Sequence, residues 1–103
     1  MLQQKMPPVH PGEVLKTLFM QPLEIGVKEL AGYLDVTPKT ISALVNGHQG
    51  ISVEMALRLS KTFNTSTDVW INMQKDYDLW KAREWVNLDH VHILTRNKNA
   101  AHT

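Results

Sequence analysis

Apolar residues recur at helical spacing along most of the chain, and the runs are broken by Pro, Gly, Asn and Asp. The clearest stretch is residues 26 to 47, GVKELAGYLDVTPKTISALVNG. Val27, Leu30, Ala31 and Leu34 form one apolar face and Ile41, Leu44 and Val45 form another, which predicts two short helices that each bury one side. Thr37 can cap the second by accepting a bond from a free backbone N–H, and Pro38 fits the first helical position, where no N–H is needed. Asp35 falls in the turn, where the left-handed conformation that Gly prefers and Asp tolerates is expected. Ala31 sits where the two helices should cross most closely, and Asn46-Gly47 stops the second.

The same spacing extends to either side. Residues 1–10 include Pro7 and Pro8 and have no periodicity, so they read as an extended or mobile lead-in. Pro11 opens a helix over Gly12 to Met20, with Val14, Leu15, Leu18 and Phe19 as the buried stripe and Pro22 expected to end it. Gly26 is an acceptable cap for the next helix, with Glu29 in its first turn. After a polar connection, Ser52 caps a helix from Val53 to Phe63 whose inward face is Met55, Ala56, Leu59 and Phe63, and Asn64 suits a left-handed stop. Thr65 and Asp68 have capping-box spacing and open a fifth helix to about Ala82, striped by Val69, Trp70, Met73, Tyr77 and Trp80.

Short helices cannot hide every large ring, so Leu79 and Trp85 are surplus and are candidates for a dimer interface. From Trp85 the helical period fades. VHILT at 91–95 reads as a short strand that would pair with its copy in a second chain or with a partner protein, and the final RNKNAAHT reads as disordered.

The outward side of the helix after Thr37 changes the picture from a bundle to a candidate reader of DNA. Thr37, Lys39, Thr40, Ser42, Ala43 and Asn46 are short or basic, suited to a major groove about 12 Å wide, whereas a helix facing only water more often carries Glu and Lys pairs. Two apolar stripes and a turn would also arise in any antiparallel helix pair. The amides around Gly26 and Val27 can grip a phosphate or serve as an ordinary helix start, and Arg58 and Lys61 can touch phosphate or form a solvated face.

Composition narrows the rest. The chain of 103 residues is one small domain with a single core. It has no cysteine, which excludes a disulfide scaffold, a thiolate zinc site and a cysteine nucleophile. No run is long and apolar enough for a membrane span, and MLQQKMPPVHPG lacks a signal-peptide core, so a cytoplasmic location is expected. The net charge is +1, and residues 1 to 66 carry six Lys or Arg against five acids, so no basic block advertises nucleic acid. Backbone amides and helix N-termini would have to hold phosphates, with dimerisation adding contacts. No enzyme chemistry stands out. His90 and His92 share a strand face but lack a third ligand, His10 and Glu13 read as a surface pair, and Asp76 and Asp78 point apart on a helix. No cofactor or metal is expected.

The segments HPGEVL, VKELAGYLDVTPKTISALVNG and ISVEMALRLSKTFNTSTDVWINMQKDYDLW together resemble the HigA-type antitoxins, a branch of the Xre and lambda-repressor-like helix-turn-helix family. The resemblance spans roughly residues 10 to 82. It implies an all-α, compact five-helix lambda-repressor-like bundle over 11–82; the 1–10 lead-in and the 83–103 extension, read from their own residues as mobile and as dimerising or disordered, lie outside it. It further implies a homodimer on double-stranded, palindromic operator DNA and a HigB-like toxin partner of the RelE-like fold that cleaves mRNA on the ribosome. The family's base-reading positions fall on Pro38, Lys39, Thr40 and Ala43. Many relatives carry Arg or another polar residue where this chain has Pro38, Lys39 and Ala43, which leaves fewer side chains to hydrogen-bond bases. A transcriptional regulator of the same family with no toxin partner fits the same residues, as does a toxin-sequestering protein with incidental DNA affinity.

Overall fold

The first helical stretch, α1, shows how the chain absorbs a proline. In the computed structural model, which describes residues 7–96, it runs in α geometry over Pro11–Val14, widens to a π turn over Leu15–Met20 and closes as α over Gln21–Leu23. Pro22 was expected to end this helix and instead lies inside it. A proline has no N–H, and its ring meets the carbonyl one α turn back. The wider turn relieves that conflict with i→i+5 bonds such as the one from the Gln21 amide to the Lys16 carbonyl. The widening also re-aims the stripe. Leu15 and Met20, five apart, are both buried, while Leu18, expected inside, is 65% exposed. Glu24 ends α1 in the left-handed conformation with φ 54°.

Among the described residues four further helices follow as α2 (Val27–Leu34), α3 (Pro38–Val45), α4 (Val53–Phe63) and α5 (Thr67–Trp85). Asp35 (φ 57°) and Asn64 (φ 57°) take the left-handed stops expected of them, and Gly47 (φ 78°) does so after α3. Ser52 caps α4 by accepting from the Met55 amide at 3.0 Å. The start of α5 differs from expectation. Ser66 is the cap, accepting from the Val69 amide at 3.1 Å, because the Thr65 hydroxyl is occupied by the indole N–H of Trp70 at 2.8 Å. The helix also continues three residues past Ala82, to Trp85.

Helices α2 and α3 pack against each other, α4 packs on α5, and α1 bridges the two pairs by touching α3 and α5. Their buried sides meet in one core that includes Leu15, Leu30, Leu34, Ile41, Leu44, Leu59 and Trp70. Trp70 is completely enclosed, and Phe19 lies 5.1 Å from its ring and 4.9 Å from that of Phe63, within the range of favourable aromatic pairs. Val69, placed on the inward stripe by spacing, is exposed, and Met73, Tyr77 and Trp80 are half-buried.

No strand forms among the described residues. VHILT at 91–95, expected as a strand, is irregular and exposed, with Ile93 at 90%. A strand needs a neighbour to satisfy its backbone, and the described residues of one chain offer none. Most of the RNKNAAHT end and the first six residues of the lead-in lie outside the described residues. No helix among the described residues is long and apolar enough to cross a membrane.

Candidate nucleic-acid interface

Helix α3 is built to begin abruptly and to leave one side open. Thr37 accepts a bond from the Thr40 amide at 3.3 Å, and the two threonine hydroxyls lie 3.0 Å apart, so the first turn is closed on itself. Ile41 and Leu44 face inward and are fully buried. Lys39, Ser42, Ala43 and Asn46 recur at three, four and seven positions, which places them on the opposite face. Lys39 and Asn46 are exposed and Ser42 and Ala43 half-buried, with Thr37 and Pro38 exposed and Thr40 half-buried at the leading edge. The Asn46 amide donates to the Ser42 hydroxyl at 3.3 Å, which orients both side chains along this face.

The electrostatics of this surface follow from what is missing as well as what is present. Residues 36–53 contain no Asp or Glu, so an otherwise near-neutral chain has a stretch free of anionic side chains centred on α3. Among the described residues Lys39 makes no ion pair. An unpaired ammonium on an open helix face, flanked by hydroxyls and an amide, can approach phosphate or a base edge without breaking an internal contact.

Gly26 and Val27 lie at the far end of α2 from the turn. Gly26 is exposed, extended at φ −94° and ψ −179°, and supplies no side chain to cap the helix. The first-turn amides of α2 therefore lack a side-chain partner, unlike those of α3, α4 and α5. Glu29 in that turn adds a negative neighbour that competes with an incoming phosphate.

Two contacts that hold this surface in place were not visible from spacing. Gln74 on α5 accepts from the Ile51 amide at 2.7 Å and donates to Asp78 at 2.8 Å, tying down the loop after α3. Arg58 on α4, whose spacing allowed either a phosphate contact or a solvated face, donates to the carbonyls of Leu34 and Asp35. Its Glu54 partner at i−4 was a sequence signal, but the backbone acceptors were not. From behind, the start of α1 presses on the end of α3, where the Leu44 carbonyl would lie 1.8 Å from any Cβ at Gly12. His10 caps α1 by accepting from the Gly12 amide at 2.8 Å and packs edge-on to Tyr77 at 4.9 Å. Burial lowers its pKa below the ordinary imidazole value, with Asp78 opposing and Lys81 assisting. Among the described residues no three His, Cys, Asp or Glu come together as a metal site, and His90 and His92 lie in the exposed segment after α5.

Comparison with known proteins places this frame among others. The helix-turn-helix family matches residues 23–70. An uncharacterized HTH-type transcriptional regulator of Escherichia coli, YbaQ, is 40% identical over 82 residues, 80% of this chain and 73% of that one. A Pseudomonas aeruginosa protein solved in complex with its operator DNA superposes with a TM-score of 0.80 at 35% identity, covering 87% of this chain and 99% of that one. The Pseudomonas aeruginosa antitoxin HigA, solved with the higBA promoter, has a TM-score of 0.77 at 35% identity, covering 84% and 96% of the two chains.

Proposed function

Because the chain belongs to the HigA-type branch of the helix-turn-helix family, we propose that it is an antitoxin that represses its own promoter and neutralises a HigB-like toxin of the RelE-like, mRNA-cleaving kind. The observation that carries the DNA-binding part is the open, acid-free face of α3 on a fold shared with proteins solved on their operators. In this reading Lys39 reaches guanine O6 and N7, Ala43 meets a thymine methyl, and Pro38 and Thr40 sit at the leading edge against the bases. Thr37, Ser42 and Asn46 hold the sugar–phosphate backbone, and the amides of Gly26 and Val27 hold a second phosphate.

A monomer with so little net charge gains few phosphate contacts, so the protein works as a homodimer with one α3 per half-site, in major grooves about 34 Å apart. Residues 11–82 are the DNA-binding unit and residues 83–103 serve dimerisation, assisted by the exposed Leu79 and Trp85. It acts in the cytoplasm, where its promoter is.

The test is a gel shift on the chain's own promoter across a salt series. Lys39→Ala is expected to lower affinity by about 1–3 kcal/mol on that sequence if the side chain reads a base, and to weaken all sequences alike if it touches only phosphate. Equal binding by mutant and wild type removes Lys39 from the site. A second reading, a regulator without a toxin, is supported by the YbaQ relative, whose name records only regulation. Co-expression with the product of the adjacent gene separates the two, since an antitoxin rescues growth from that product and forms a complex with it.

A further inference from the structure

Arg58 offers the duplex almost nothing, because its guanidinium is already in use. Nη1 donates to the Leu34 carbonyl at 2.8 Å and to the Asp35 carbonyl at 3.2 Å, while Nε and Nη2 both donate to Glu54 Oε2, at 3.2 and 2.7 Å. Those donations occupy all but one of the N–H groups of a guanidinium. The two carbonyls belong to the last residue of α2 and to the left-handed residue that turns the chain, groups that a helix end leaves without internal partners and where a cation is electrostatically favoured.

Only Asp35, Val36 and Thr37 separate α2 from α3, so whatever fixes the carbonyls of Leu34 and Asp35 sets the angle at which α3 leaves the turn. A helix the length of α3 spans about 12 Å, so a 10° error at the turn displaces its far end by about 2 Å. That exceeds the tolerance of a hydrogen bond to a base edge. Resting on the operator-binding reading above, we infer that Arg58 is a positioning residue for DNA recognition: it links α4 to the turn and holds α3 at the angle the groove requires, without itself touching DNA.

The experiment compares wild type, Arg58→Met and Arg58→Lys on two duplexes, the promoter sequence and a scrambled one of the same length, across a salt series. Amide hydrogen exchange on the free proteins is measured alongside. Arg58→Met is expected to weaken promoter binding by about tenfold or more while leaving the scrambled affinity and the salt slope unchanged. Arg58→Lys recovers part of the loss, since an ammonium still reaches the carbonyls. Exchange at Asp35 and Val36, whose amides bond to Gly32 and Ala31 at 3.3 and 3.0 Å, speeds up in the Met variant.

A salt slope reduced by about one with both duplexes weakened alike overturns the inference in favour of a phosphate contact. Unchanged promoter affinity overturns it as well. Should the Met variant not fold, Glu54→Gln frees the guanidinium more gently, and unaltered promoter affinity and exchange in that variant count against the inference. Failure of the wild type itself to bind its promoter defeats the operator reading instead. Exchange at Asp35 and Val36 then decides the link to the turn alone.

Discussion

Replacing Gly12 by Ala tests how α1 backs the recognition helix. A Cβ at this position lies 1.8 Å from the Leu44 carbonyl oxygen and 2.7 Å from its carbon, whereas ordinary contact begins at 3.4 Å, so the elements must part by about 1.6 Å. The obstacle cannot swing aside, because the Leu44 carbonyl also accepts the Gly47 amide at 3.2 Å at the end of α3. Overpacking costs about 1–3 kcal/mol, and a backbone neighbour puts this case at the upper end. At 4–8 °C per kcal/mol for a domain of this size, a cost of about 3 kcal/mol should lower the melting temperature by about 12–24 °C. Gly32→Ala is the control. It lies inside α2 with nothing within 4 Å of a Cβ, so the change should stabilise by about 0.5–1 kcal/mol. Thermal unfolding followed by circular dichroism, at one fixed protein concentration, reads both. A Gly12→Ala protein melting within about 2 °C of wild type would refute the packing argument.

Three further outcomes follow from single contacts. Thr37→Ala removes the cap of α3 and should cost about 1 kcal/mol in denaturant unfolding, with Thr37→Asn close to neutral. Thr65→Val leaves the indole N–H of the enclosed Trp70 without its acceptor and should cost about 1–3 kcal/mol; an unchanged midpoint would show that the bond contributes nothing net. His10 has a folded pKa below its unfolded one, so the fold favours the neutral ring that accepts from Gly12. Its contribution is present in full above the ordinary value near 6.5 and is lost as pH falls from there through the folded pKa. Stability of the wild type should therefore drop over that interval, and His10→Asn, which keeps an acceptor but does not titrate, should flatten the curve.

What could be read along the chain was what short-range physics decides. The caps at Thr37 and Ser52, the left-handed stops at Asp35 and Asn64, and the buried faces of α2, α3 and α4 each depend on a few neighbouring residues. Where a side chain found another partner or the helix changed its geometry, spacing misled. Trp70 took the Thr65 hydroxyl and moved the α5 cap to Ser66, and a π turn let Pro22 stay in α1 while rotating Leu18 outward. The segment at 91–95 has a strand's composition but no edge to pair with among the described residues. Within the candidate interface, the open face of α3 was legible from its own residues. The Arg58 and Gln74 ties that hold it join residues 23 or 24 positions apart, beyond the reach of any local pattern.

The location of the DNA contact is open to direct observation by recording backbone amide NMR shifts while the chain's own promoter duplex is titrated in. The largest changes are expected to cluster from Thr37 to Asn46, with a second set at Gly26 and Val27. Changes confined to α5 and the segment beyond it, with the amides of α3 unmoved, would contradict α3 as the DNA-reading helix.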